Sequence, residues 1–157
     1  MANKPIKVGI ISDTHNLVRP KAKRALAGVD RILHAGDICG PEVLYELGAI
    51  APIVAVRGNN DRGSWANSIH ATETIEIGGV SIYLLHDLSE LDLDPKSAGF
   101  HVVVSGHSHR PVINDNDGVL FVNPGSAGPR RFTLPISLAI IEITNDGVQA
   151  QLYALED

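Results

Sequence analysis

Seven side chains in this sequence have the chemistry to act together as metal ligands: Asp13, His15, Asp37, Asn59, His86, His107 and His109. Carboxylate oxygen, amide oxygen and imidazole nitrogen suit hard or borderline divalent ions such as manganese, zinc or iron. Cys39 is the single cysteine, so a thiolate-based structural zinc site is excluded. In Asp13-Thr14-His15 and His107-Ser108-His109 the ligand types stand two residues apart, a spacing that points both to one side of an extended backbone. The two rings of the second pair can serve neighbouring ions, one each. Asp37 can bridge two ions, because a carboxylate has two oxygens and the negative charge needed to hold cations close. Gly36, Gly58 and Gly106 precede ligand positions, where glycine permits tight turns and close backbone approach. Singly, each signal is weak: Asp-x-His at a strand end is usually a turn, and Gly-Asn nearly always is. The weight rests on the ordered set.

These residues need elements to bring them together. The pattern predicts a strand from Lys7 to Ser12, a helix opened by Pro20 and running to about Ala27, and a strand from Arg31 to His34. A second helix from Pro41 to near Gly48 and a strand from Ile53 to Val56 follow. Alternating strand and helix implies a parallel sheet with right-handed crossovers. The second half is strand-rich. Thr74 to Ile77 and Val80 to Leu85 flank Gly78-Gly79, and a strand from Val102 to Ser105 comes next. Val112 to Asn114 and Val119 to Val122 flank the turn Asp115 to Gly118, and Ile136 to Ile143 and Val148 to Leu155 flank Asn145-Asp146-Gly147. This half reads as mostly antiparallel. The ligand types all follow strands, at five separate exits, which is where sites gather in open α/β sheets. No repeat or linker is visible, so residues 1–157 are expected to form one domain.

Composition narrows the function classes. The chain has 157 residues, enough to bury a core, and 44% hydrophobic against 20% charged residues is ordinary for a globular protein. The net charge of -5 and the lack of any basic stripe beyond Lys21-Ala22-Lys23-Arg24 make long nucleic acid an unexpected partner. A small phosphorylated substrate fits better. The lone cysteine, the N-terminus without a leader pattern and the absence of a long apolar run lead to the expectation of a cytoplasmic protein with no membrane partner.

Taken in order, Asp13-Thr14-His15, Gly36-Asp37, Gly58-Asn59-Asn60-Asp61, His86 and Gly106-His107-Ser108-His109 resemble the calcineurin-like metallophosphoesterases. Their spacing, with Asn123-Pro124-Gly125-Ser126 and Pro129-Arg130, is similar to the small YfcE-like phosphodiesterase branch, which includes relatives of the retromer metallophosphoesterase-fold subunit. The resemblance covers nearly the whole chain. It implies an α/β four-layer αββα sandwich, two mixed β-sheets face to face with helices outside. It also implies two divalent ions, manganese first and zinc, iron or nickel as alternatives. Asp13, His15, Asp37 and His109 would hold one ion, and Asp37, Asn59, His86 and His107 the other. Asp61 would orient the site from behind, and Asn59 would help to stabilise phosphoryl charge. The branch often forms homo-oligomers, so a homo-oligomer is left open.

Two positions depart from the family pattern. Many members carry His where this chain has Asn60, which donates a hydrogen bond but supplies no acidic proton. His86 is followed by Asp87, where Gly is expected. Asn60, Arg62 and Arg110 are candidate phosphate-binding residues, although exposure to solvent is the default for any single arginine. His34 reads as a structural, hydrogen-bonded histidine, His70 and His101 as surface or strand-end residues, and Cys39 as a bystander thiol. Trp65 reads equally as simple packing or as a substrate wall or subunit contact. The function expected is hydrolysis of a phosphodiester by water shared between two ions roughly 3.5–4 Å apart. The alternatives are a phosphomonoesterase or small nuclease of the same fold, and a protein-interaction scaffold.

Overall fold

A computed structural model describes residues 4–155. Met1 to Asn3 and residues 156–157, included in the expected single domain, lie outside the described residues. The strands are β1 (Ile6–Ile11), β2 (Arg31–His34), β3 (Ile53–Ala55), β4 (Thr72–Ile77), β5 (Val80–Leu85) and β6 (Val102–Val104). They continue as β7 (Val112–Asn116), β8 (Val119–Asn123), β9 (Ser137–Thr144) and β10 (Gly147–Ala154). The helices are α1 (Pro20–Ala25) and α2 (Pro41–Gly48), each with proline in its first turn. They form two five-stranded sheets, ordered β10-β9-β1-β2-β3 and β4-β5-β6-β8-β7.

Both sheets are mixed. In the first, β1, β2 and β3 are parallel, and β9 returns antiparallel to β1. In the second, β5, β6 and β8 run parallel and the hairpin partners β4 and β7 close the edges. The mostly antiparallel reading of the second half holds for β4–β5, β7–β8 and for β9 with both β1 and β10, while β5, β6 and β8 form a parallel centre within it. Hairpin turns signal antiparallel neighbours locally, but they do not reveal that β6 lies between β5 and β8. The β7–β8 turn is also tighter than expected: pairing continues to Asn116 opposite Val119, leaving Asp117-Gly118 at the tip, both with positive φ.

Strand alternation sorts the core into layers. Val8 and Ile10 of β1 and Ala139, Ile141 and Ile143 of β9 face Ile82, Leu84, Val102, Val104 and Val122 across the gap between the sheets. Ile11, Ile32 and Leu138 point the other way, under Ala22 of α1, Leu26 just past its end, and Val43 and Leu47 of α2. On the outer face of the second sheet, Tyr83, Leu85 and Val103 are covered by Leu91, Leu93 and Phe100. That fourth layer is thin, a loop following a 3₁₀ turn at Leu88–Glu90.

Leu84 is fully buried between the sheets. Leu84→Ala is expected to lower stability by about 2–5 kcal/mol, whereas Tyr45→Ala, at an exposed helix position, stays within about 0.5 kcal/mol. Urea unfolding of both variants checks the pair, and equal effects would mean the inter-sheet core is misplaced.

Candidate metal centre

The strand exits are stitched to one another before any ligand is considered. The Asp13, His15 and Asn16 N–H groups donate to the carbonyls of Gly36, Asp37 and Ile38 at 3.0, 3.0 and 2.8 Å, so the loops after β1 and β2 run as a pair. Gly106 N–H donates to His86 O at 2.9 Å, tying the β5 and β6 exits. His107 N–H donates to Asp13 Oδ2 at 3.1 Å, which joins one sheet to the other. Beneath these loops Asp61 is 5% exposed and accepts from three backbone amides, those of Asp37, Cys39 and Gly58. A Cβ on Gly58 would collide with Asp37 Oδ1 and the Asp37 backbone nitrogen, so only glycine lets the two loops approach this closely.

All seven candidate ligands are brought to one end of the sandwich. His86 Nε2 lies 3.0 Å from Asn59 Oδ1, 3.3 Å from His107 Nδ1 and 3.5 Å from Asp37 Oδ2. On the other side His15 Nε2 is 3.7 Å from Asp37 Oδ2, and His109 Nε2 is 3.4 Å from Asp13 Oδ1. Ligand atoms of Asp13, His15 and His109 lie within 4.8 Å of one another, as do those of Asp13, Asp37 and His86. Asp13 is therefore common to both tight groups, and Asp37 stands between His15 and His86.

The reason for convergence differs from the extended-strand argument. Asp13, His15, Asp37, His107 and His109 all have positive φ, between 46° and 68°. The Asp-x-His and His-x-His pairs thus lie past their strands, and left-handed residues turn the side chains inward. Asp and His adopt this region more readily than most residues, but it remains uncommon, and such strain clusters at functional sites.

The electrostatics of the cluster call for a cation. His86 Nδ1 lies 2.7 Å from Ala35 O, and a carbonyl can only accept, so this nitrogen carries a proton. Its Nε2 then faces the oxygens of Asn59 and Asp37. Without a cation both demands are met only by the imidazolium. Burial alone would lower the His86 pKa, but hydrogen bonding to Asp37 and the charges of Asp13 and Asp37 raise it above the ordinary value. Burial pushes the Asp37 carboxyl up, yet hydrogen bonds from His86 and Asn60 hold it well below the usual carboxylate range. Asp13 is fully buried; its Oδ2 accepts from Ser12 Oγ at 2.8 Å, while Oδ1 has no hydrogen bond. His15 Nε2 and His109 Nδ1 are likewise buried without a partner among the described residues. Bare buried acceptors cost about 1–3 kcal/mol each, and a divalent ion is the species whose charge and coordination would satisfy this donor set.

The remaining candidates are placed as follows. Asn60 is exposed at the rim and binds Asp37 twice: its backbone N–H donates to Oδ1 and its side-chain Nδ2 to Oδ2, both at 2.9 Å. Arg62 and Arg110 are exposed, and neither guanidinium hydrogen-bonds within the cluster. His34 is fully buried, with Nδ1 accepting from Gly36 N at 3.1 Å and Nε2 donating to Thr14 Oγ1 at 3.0 Å. Burial lowers its pKa to about 4, so it is a neutral strut between the β1 and β2 loops. Cys39 Sγ lies 3.5 Å from His15 Nδ1, and burial with the neighbouring Asp61, Asp37 and Asp13 charges pushes the thiol up to about 11. It remains a thiol beside the imidazole. Trp65 packs against the helix-side core. His70 is exposed with Nδ1 2.7 Å from Glu73 Oε1, and the exposed His101 accepts from Ser81 N.

Two supporting residues escape a reading of motifs alone. Ser12 holds Asp13, and buried Asn123 donates to Gly106 O at 3.0 Å and to Ser108 Oγ at 3.1 Å. A serine ending a strand carries no distinguishing signal. Asn123 begins the Asn-Pro-Gly-Ser stretch, whose family likeness was the available clue.

The family model of the calcineurin-like phosphoesterase superfamily domain matches residues 6–146. A probable metallophosphoesterase of Methanothermobacter thermautotrophicus is 33% identical over 157 residues, covering 92% of this chain and 90% of that protein. Among solved structures, an archaeal phosphodiesterase superposes with a TM-score of 0.78 at 27% identity, over 96% of this chain and 100% of that one. Vacuolar Protein Sorting 29 from Cryptosporidium parvum superposes with a TM-score of 0.83 at 22% identity, over 99% and 94%.

The raised His86 pKa has a consequence for the chelated protein. A group whose pKa is higher in the folded state contributes stability that is complete below the unfolded value, about 6.5 for histidine, and is lost as pH rises through the folded value. The metal-free protein is therefore expected to lose thermal stability above about pH 6.5, and His86→Gln to flatten that decline. Melting curves at stepped pH decide it; an undiminished slope in His86→Gln would assign the effect elsewhere.

Proposed function

This chain belongs to the calcineurin-like phosphoesterase superfamily, and we propose that it is a two-metal phosphodiesterase acting on small phosphoesters. The observation that carries the reading is the crowding of lone pairs around His86 Nε2 and Asp13 Oδ1. Asp13, His15, Asp37 and His109 would hold one ion, and Asp37, Asn59, His86 and His107 the other. When bound there, two divalent ions, manganese ahead of zinc, iron or nickel, would supply an activated water and neutralise phosphoryl charge. The net charge of -5 favours a small substrate over a long polyanion.

The protein's own groups have separable tasks. Asp61 keeps Asp37 in place through its backbone amide. Asn59 offers its carbonyl oxygen to the cluster, leaving its amide N–H groups to face a phosphoryl oxygen. Asn60 is anchored on Asp37, and the exposed Arg62 and Arg110 are the cations proposed to meet the phosphate. None of these is an acid of suitable strength. His34 is sealed between Thr14 and Gly36, so it cannot protonate a leaving group either.

Chelation should abolish hydrolysis, and manganese should restore it better than magnesium, since four imidazoles suit a borderline ion. Asp37→Asn removes the carboxylate charge between His15 and His86. It should lose at least one ion per chain by elemental analysis and about a hundredfold or more in rate. Two ions retained with near-normal turnover would contradict the assignment.

The lack of an acid predicts a leaving-group dependence. General acid catalysis contributes about 10²–10⁴-fold. Without it, rates should climb steeply as leaving-group pKa falls, and nitrophenyl diesters should far outrun alkyl diesters. Asn60→His should help alkyl esters more than nitrophenyl esters. A flat dependence in the wild type would reveal an acid and reject this role for Asn60.

A further inference from the structure

Beside the cluster, on the side of the second sheet, lies a cavity of about 210 Å³. His107 forms part of its wall and also stands within 3.3 Å of His86, so the cavity opens from the candidate ligands themselves. Its other walls are largely apolar. Leu88, Val112, Phe121 and Val122 contribute, and Leu88 and Val112 are 41% and 46% exposed at the rim. An apolar cavity of about 150 Å³ holds a benzene ring, so this volume fits one ring with a small substituent.

One acidic side chain stands in this lining beside the imidazole. Asp87 occupies the position after His86 where the family pattern has glycine. Its Oδ1 is fixed, accepting from Ser89 N and Ser89 Oγ at 3.0 and 2.8 Å, and its Oδ2 lies 3.7 Å from His107 Nε2. A carboxylate held in this way repels a second anionic group entering the cavity and leaves a neutral one unaffected.

We propose that this cavity is the subsite for an uncharged, ring-sized ester group of the substrate, with Asp87 barring an anionic one. The proposal rests on reading the cluster as a phosphoester site, and it narrows the substrate class. A diester carrying one aromatic or similarly flat neutral arm fits. A phosphomonoester presents a second negative charge. A nucleic-acid strand would bring a flanking phosphate towards Asp87. Apolar contact supplies the affinity and the carboxylate supplies the discrimination.

The test uses probes that cannot be hydrolysed, because their phosphorus substituents are carbon-linked. Diphenylphosphinate, dimethylphosphinate and phenylphosphonate are titrated calorimetrically onto manganese-loaded protein. Diphenylphosphinate should bind at least about tenfold more tightly than dimethylphosphinate, the scale on which apolar pockets discriminate. Val112→Trp, a surface substitution that fills the rim, should bring that ratio close to one. Asp87→Asn should strengthen phenylphosphonate relative to diphenylphosphinate. Equal binding of the two phosphinates to the wild type, or no binding of either, overturns the proposal without recourse to a variant. So does a ratio that Val112→Trp leaves intact, or a phosphonate-to-phosphinate ratio that Asp87→Asn does not move. Turnover separates this inference from the broader one. Diester hydrolysis with equal phosphinate binding keeps the reaction and rejects the cavity. Preferential phosphinate binding without hydrolysis of any phosphoester does the reverse.

Discussion

Two carboxylates, Asp13 and Asp37, are withdrawn from water at the seam between the sheets, 0% and 3% exposed. Burying charge in this way is costly unless the charge is matched. The surrounding structure supplies part of the match from the backbone and from neighbouring hydroxyl and amide groups. Asp13 receives the Ser12 hydroxyl and the His107 amide, and Asp37 receives both donors of Asn60. What these donors leave over is one bare oxygen on Asp13 and an Asp37 oxygen facing two imidazoles. The arrangement is hydrogen-bonded enough to fold and under-neutralised enough to draw in cations.

That constraint explains the conformations of the loops. A left-handed backbone costs an ordinary residue about 1–2 kcal/mol relative to the right-handed region, yet five candidate ligands adopt it. The cost is offset by backbone hydrogen bonds that pair the β1 and β2 exits, and by Asp61, which gathers three amides under them. Asp61 also draws Gly58 against Asp37, accepting from both amides, where a side chain has no room. Second-layer residues thus hold the strained backbone so that the ligands need not support it themselves.

Much of this was legible in the sequence, for identifiable reasons. β2, α2 and β5 match their expected bounds because each is framed by strong punctuation: Gly28 and Gly36 around β2, Pro41 and Gly48 at the ends of α2, and Gly78-Gly79 before β5. The candidate ligands could be picked out because strand exits recur with the same residue types. Sheet order was less accessible. β6 reads as an isolated apolar run, and its parallel pairing with β5 and β8 depends on contacts distant in sequence. The thin layer over Tyr83 and Val103 was hidden for a related reason, since Leu91, Leu93 and Phe100 have no helical period and become a cover only once the sheet exists. The positive φ values were invisible for a different reason: Asp and His tolerate that region without requiring it, so residue type alone does not announce it.

The origin of each ligand bears on how stability and chemistry are linked. Asp13, His15, Asp37 and Asn59 come from the exits of β1, β2 and β3, whereas His86, His107 and His109 come from those of β5 and β6. Neither proposed ligand set is confined to one sheet: the first takes His109 across the seam to Asp13, and the second takes His86 and His107 across to Asp37 and Asn59. The distances within each set are therefore fixed by the apolar packing between the sheets, where Val8, Ile10, Leu84 and Val104 are fully buried. A close-packed interior transmits small displacements with little loss, so a shift of one sheet against the other changes the ligand geometry directly. By the same linkage, ions held by the proposed sets would hold the sheets together, and their binding free energy would become part of the free energy of folding. With Asp13, His15, Asp37 and Asn59 on one sheet and His86, His107 and His109 on the other, the core and the site form a single mechanical unit.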